Sequence, residues 1–173
     1  MSGTDKYWMR TERHSNRKNI RIGVNYSLSH VNTSKHYARL GGTLAILSDV
    51  IYKLGYSVEI HGIGVTKYHG KRDYNYIITD TVVKKPNERM DIQRVLSTMH
   101  QGFHRDIWFG LKDKLFNVNK GTYGSQATTT EELKELIGCE YIIEQKAISS
   151  DELIGDFIET AISQLTDKKE YLS

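Results

Sequence analysis

The chain has 173 residues, 38% of them hydrophobic, a net charge of +3 and a single cysteine. That length allows one core burying roughly two-thirds of the unfolded surface, and no apolar run approaches the roughly 18 residues of a membrane-spanning helix, which excludes an integral membrane protein. One cysteine excludes an internal disulfide and cysteine-rich zinc sites, and the seven histidines show no HExxH or HxH spacing, so no metal motif stands out and a reducing, cytoplasmic setting is expected.

Residues 1–19 interleave Lys6, Arg10, Arg13, Arg17 and Lys18 with Tyr7 and Trp8 without a period, and carry no apolar signal segment. They read as a basic arm ahead of a single domain over residues 20–173. Ile20, Ile22 and Val24 alternate with other residues, which predicts a strand that leaves into the polar loop Asn25 to Ser34. With Thr33 or Ser34 as cap, Leu40, Leu44, Leu47, Ile51 and Leu54 advance by four and three, widened by Ile46 and Val50, so a helix follows until Gly55 ends it. Val58, Ile60, Gly62 and Gly64 predict a second strand, parallel to the first through a right-handed crossover.

The polar turn His69 to Asp73 leads to Tyr74–Val83, rich in aromatic and β-branched residues, which predicts an antiparallel edge strand. Asp91 caps a helix with Ile92, Val95, Leu96 and Met99 on one side. After Gly102 another is expected to bury Ile107, Trp108, Leu111 and Leu115. Residues 117–130 read as the longest loop. A helix capped by Thr129 with Glu132 then runs to Ile137 and Gly138, a strand covers Glu140 to Glu144, and a last helix capped by Ser149 with Glu152 places Ile154, Phe157, Ile158, Ala161, Ile162 and Leu165 at helical spacing.

This order, β-α-β-β-α-α-loop-α-β-α, predicts an α/β fold: a mainly parallel central sheet with one antiparallel edge strand and helices on both faces. In such sheets ligands bind beyond the carboxyl ends of the strands, which directs attention to the loop from Asn25 to Ser34. Charge adds a second feature. Residues 1–130 carry twenty Lys and Arg against ten Asp and Glu, whereas residues 131–173 carry four against eleven, so the molecule is electrically polarised.

The stretch Val24-Asn25-Tyr26-Ser27-Leu28-Ser29, followed by a helix with Gly41 and Gly42 and the strand Tyr56-Ser57-Val58-Glu59-Ile60, resembles the first βαβ unit of von Willebrand A-type, Rossmann-like domains. There an Asp-x-Ser-x-Ser strand end contributes to a metal-ion-dependent adhesion site. It is similar, more closely, to phage and mobile-element proteins with an Asn-x-Ser-x-Ser strand end, through Met90-Asp91-Ile92 to Gly102-Phe103-His104-Arg105. The resemblance implies Ser27 and Ser29 as metal candidates, but Asn25 stands where the family carries its leading Asp. A neutral carbonyl argues against the Mg²⁺ that a carboxylate would hold, so no cofactor is expected.

The expected role is a non-catalytic binding or adaptor protein of a phage or mobile element, acting in the host cytoplasm and docking a protein through Asn25, Ser27, Ser29, His104 and Arg105. The alternative is DNA or RNA binding through Arg10, Arg13, Arg17, Lys18 and Arg21, with Lys71 and Arg72, where Tyr7 and Trp8 can stack on bases. A hydrolase using His100 or His104 is a second alternative, although no nucleophile stands beside them in the sequence.

Overall fold

The computed structural model describes residues 17–25, 34–69, 74–86, 88–100, 110–116, 122–123, 130–144 and 146–170. In chain order its elements are β1 (Asn19–Asn25), α1 (Ser34–Lys53), β2 (Ser57–His69), β3 (Tyr74–Lys84), α2 (Ile92–Met99), α3 (Gly110–Phe116), β4 (Thr122–Tyr123), α4 (Thr130–Ile137), β5 (Tyr141–Ile143), a 3-10 turn over Lys146–Ile148, and α5 (Asp151–Glu170). The main sheet runs β3-β2-β1-β5. β1 is parallel to both β2 and β5, and β3 is the antiparallel edge. β4, in the stretch expected to be loop, adds two antiparallel residues to β2.

The two-residue period of a strand divides β1 between two layers. Ile20, Ile22 and Val24 are buried in a cluster with Leu40, Leu44, Leu47 and Ile51 of α1, Val95 of α2, and Ala161 and Leu165 of α5. On the opposite face Ile63, Val65 and Ile142 are buried with Cys139 and with Leu133 of α4. Helices therefore cover both faces of a mixed sheet, as the alternation of elements predicts. Between the layers β1 passes Gly23, where an added Cβ would collide with Ile63 Cδ1 and lie 3.2 Å from both Cys139 Sγ and Ile142 Cγ1. The missing side chain lets the α4 layer close on the middle strand. A Cβ on Gly41 would likewise come within 2.5 Å of Leu96 Cδ2, so this glycine sets the approach of α2 to α1.

Helix ends follow the local chemistry. Asp91 accepts the Arg94 N–H at 3.0 Å and caps α2. Gly55 and Gly138 take φ of 94° and 71° just past α1 and α4, the left-handed conformation that closes a helix cheaply only in glycine. The cap of α5 is Ser150, whose Oγ accepts the Leu153 N–H at 3.2 Å, one residue later than expected. Ser149 instead donates its hydroxyl to the Lys146 carbonyl, closing the 3-10 turn that precedes the helix.

Two expectations about burial are corrected. Leu111 and Leu115 of α3 are exposed, Leu115 at 65%, and belong to neither core cluster. Their four-residue spacing puts them on one side of a helix, but spacing does not say that this side meets the sheet. Ile46, read as widening the apolar stripe of α1, is 52% exposed at the stripe's margin. Among the described residues, no helix is long and apolar enough to cross a membrane.

Candidate functional site

β1, β2 and β5 run in one direction, so their carboxyl ends open on the same edge of the sheet. Asn25 is the last residue of β1, buried opposite Ile63, and is engaged by a partner in the fold. α1 is the next described element and starts at Ser34. α2 lies antiparallel on α1, with Leu96 at Gly41 and the His100 ring 5.5 Å from that of Tyr37 at an interplanar angle of 30°. At the start of α4, the Thr130 hydroxyl donates to the Glu144 carboxylate at 2.5 Å, just past the end of β5.

Ser27, Ser29, His104 and Arg105 lie outside the described residues. Their chain neighbours do not. The serines follow Asn25 at the end of β1, and His104 and Arg105 follow His100 at the end of α2, so the topology brings the origins of both halves of the predicted set to one edge. The described part of the motif lacks the carboxylate that Mg²⁺ favours. Asn25 offers a neutral amide, and among the described residues no group of three or more His, Cys, Asp or Glu could hold a metal ion.

The basic residues are distributed differently. Arg10, Arg13, Lys71 and Arg72 lie outside the described residues. The Arg17 guanidinium carbon stands 4.2 Å from the ring centroid of Tyr52, on the last turn of α1, a cation–π contact. Lys18 is exposed, and its carbonyl accepts the Ser57 N–H at 2.9 Å, tying the lead of β1 to β2. Arg21 is committed within the sheet: its Nε donates to Glu59 at 2.9 Å, and this hydrogen bond, followed by the charge of Glu59, raises its pKa.

That ion pair belongs to a polar cluster that sequence reasoning missed. The face of β2 that carries Ile63 and Val65 also carries Glu59 and His61. Asn19 Nδ2 donates to Glu59 at 2.8 Å, while the His61 ring, only 5% exposed, lies between Asp80 (Nδ1 to Oδ1, 2.7 Å) and Glu59 (Nε2 to Oε1, 3.6 Å). Burial works to raise the Glu59 pKa, but the hydrogen bonds from Arg21 and Asn19 and the charges of His61 and Arg21 outweigh it and hold the carboxylate below its ordinary value. The available signal was two polar residues in period with two apolar ones on a predicted strand.

A carboxylate orienting an imidazole is a familiar acid–base arrangement. Here the imidazole is closed off from solvent. The nearby Cys139 thiol is pushed up to about 12, chiefly by burial, so it holds its proton at neutral pH and is a poor nucleophile. The cluster binds strands together.

Because the Glu59 pKa is lowered on folding, its contribution to stability is complete above the ordinary value of 4.5 and is lost as pH falls through the folded value. Glu59→Gln should cost about 1 kcal/mol or less at neutral pH, because water solvates the half-exposed Arg21 once its anion is gone, and should flatten the loss of stability in acid. Urea unfolding at neutral pH and below pH 4 reads both effects. Equal acid sensitivity in the two proteins would show that Glu59 titrates as an ordinary surface carboxylate.

No curated protein and no solved structure matches the chain. A family model described as a domain of unknown function (DUF7192) matches residues 5–167, nearly the whole length, and the chain belongs to that family.

Proposed function

We propose that this chain is a non-catalytic binding protein that docks a protein partner at the carboxyl end of its sheet. The observation that carries this reading is convergence: the end of β1 at Asn25, the start of α1 with Tyr37, the end of α2 with His100 and the start of α4 with Thr130 meet around one edge. Ligands of open α/β sheets lie at that edge. The resemblance to von Willebrand A-type adhesion sites, with an amide in place of the acid, supports docking through side chains and main chain rather than through a metal. The closer resemblance, to phage and mobile-element proteins with an Asn-x-Ser-x-Ser strand end, supports a role in a phage or mobile element.

The test is quantitative affinity capture from the native host, comparing wild type with a Ser27→Ala/Ser29→Ala variant and with His104→Ala. A specific partner should be recovered by wild type and depleted about tenfold or more by the variants, with thermal unfolding as the control for folding. Recovery of one unchanged set of proteins by all three chains would rule the site out.

Nucleic-acid binding is a second reading, favoured by the division of charge along the chain. Arg21 contributes least to it, because Glu59 already neutralises its charge.

A further inference from the structure

β2 and β3 pair out of step at one place. Ile60 is opposite Lys84 but His61 is opposite Val82, so Val83 is an extra residue on β3. Such bulges redirect the side chains around them. In an unbroken register His61 and Ile63 would share their face with Val83 and Thr81. The bulge brings Val82 and Asp80 there instead, and the Asp80 carboxylate reaches the His61 ring at 2.7 Å. On the other side His61 is level with Gly23 of β1, where no side chain competes for the space.

The two ring nitrogens are not equally served. A carboxylate only accepts hydrogen bonds, so the contact with Asp80 assigns a proton to Nδ1. Nε2 is buried, makes no hydrogen bond among the described residues, and stands 3.6 Å from Glu59 Oε1. In a neutral ring, that nitrogen and that oxygen are two acceptors side by side. A second proton removes the conflict and gives the ring a donor toward each carboxylate. Burial disfavours a charge, but a buried cation with a carboxylate at each nitrogen is paired, which is the condition under which buried charges persist.

The charges around the ring lead to the same place. Arg21, Glu59 and Asp80 together carry one net negative charge, and an imidazolium cancels it. The row Arg21, Glu59, His61, Asp80 then alternates in sign from β1 to β3. Around it, Glu140 accepts the Arg21 main-chain N–H, Cys139 holds its proton, and α4 contributes Leu133 and Ile137. Lys84 is paired with Ile60 and places its ammonium on the Val58 carbonyl, on the opposite face. Of these kinds of group, imidazole is the one that ordinarily changes charge between about pH 5 and pH 8.

We propose that His61 is a proton-operated latch on the edge strand: in mild acid the imidazolium joins Glu59 to Asp80 and fastens β3, and loss of the Nε2 proton in mild alkali loosens it. This goes beyond the docking of a protein partner at the carboxyl edge and does not depend on it. Among the described residues β3 pairs with no strand but β2, so a contact between these two strands governs its hold on the sheet. A proton that the folded chain binds more tightly than the unfolded one adds stability that is present in acid and lost as pH rises.

The experiment is hydrogen exchange of the full chain from about pH 8.5 to about pH 5.5, a window that lies above the lowered titration range of Glu59. Mass spectrometry of peptides covering residues 77–84 gives protection factors, with peptides from β1 as the internal reference. In wild type the β3 protection factor should rise about fivefold or more toward the acid end, relative to β1. Nitrogen-15 NMR should show the His61 ring passing to the imidazolium form over the same range. His61→Gln, uncharged at every pH, should leave β3 protection flat, and Asp80→Asn should reduce the rise. The ring spectrum of wild type keeps the test decisive if His61→Gln fails to fold. Protection that does not change with pH in wild type, a rise that persists in His61→Gln, or a ring that stays neutral at the acid end would overturn the latch.

Discussion

Between about pH 9 and pH 12 the folded chain should lose stability steeply, and the loss should trace to two buried side chains. Burial, reinforced by the charge of Asp80 on Cys139 and of Glu140 on Tyr141, pushes both groups up to about 12, from 9.0 for the thiol and 10.0 for the phenol. Both are only 5% exposed, and the Tyr141 hydroxyl donates to the Ala161 carbonyl at 3.2 Å, joining β5 to α5. A raised acid pKa keeps the folded chain protonated while the unfolded chain releases its proton. The stability is thus complete below the unfolded pKa and lost as pH climbs toward the folded one. At 1.36 kcal/mol per pH unit the loss is at most about 3 kcal/mol for Tyr141 and about 4 kcal/mol for Cys139. Thermal unfolding from neutral pH to pH 12 checks this, with Tyr141→Phe and Cys139→Ala each removing one component. A melting temperature that falls no faster in wild type than in the double variant would contradict the burial of these groups.

Leu47→Ala should cost about 2–5 kcal/mol, and Ile46→Ala, one residue earlier, less than about 1 kcal/mol. Leu47 is fully buried on the side of α1 that packs against Ile20, Ile22 and Val24, so shortening it leaves a cavity between helix and sheet. Ile46 points out at the margin of the stripe, where water replaces the lost methylenes. Urea unfolding of both variants gives the difference directly. Similar costs at the two positions would mean that α1 is rotated about its axis from the orientation described.

The sheet was legible because its strands obey period two and its helices advance by three and four. Ile20, Ile22 and Val24 predicted β1 to within a residue at each end, and Asp91, Gly55 and Gly138 marked helix ends through backbone chemistry that operates locally. Less was legible where the answer depends on partners distant in sequence. The length of β2 beyond Gly64 is set by pairing with β3 and β4, and the residues involved, from Thr66 to His69, carry no apolar alternation. The Arg21–Glu59–His61–Asp80 cluster draws on three strands. No local pattern relates Arg21 to Glu59, 38 positions later; only the parallel register does. At the carboxyl edge, the sequence pointed to Asn25 through the end of β1. The meeting of Tyr37 with His100 needed the antiparallel packing of α2 on α1, which follows from Gly41 admitting Leu96 and not from any motif.

Cys139 also gives the molecule a built-in clock. Its sulfur lies under α4, among Leu133, Ile142 and Ile63, so an alkylating reagent or an oxidant reaches it only during excursions that lift this short helix away. The rate of thiol modification in native buffer therefore measures how often the thinner of the two helical layers breathes, and ligands that clamp the sheet edge next to Thr130 would slow that clock without touching the cysteine.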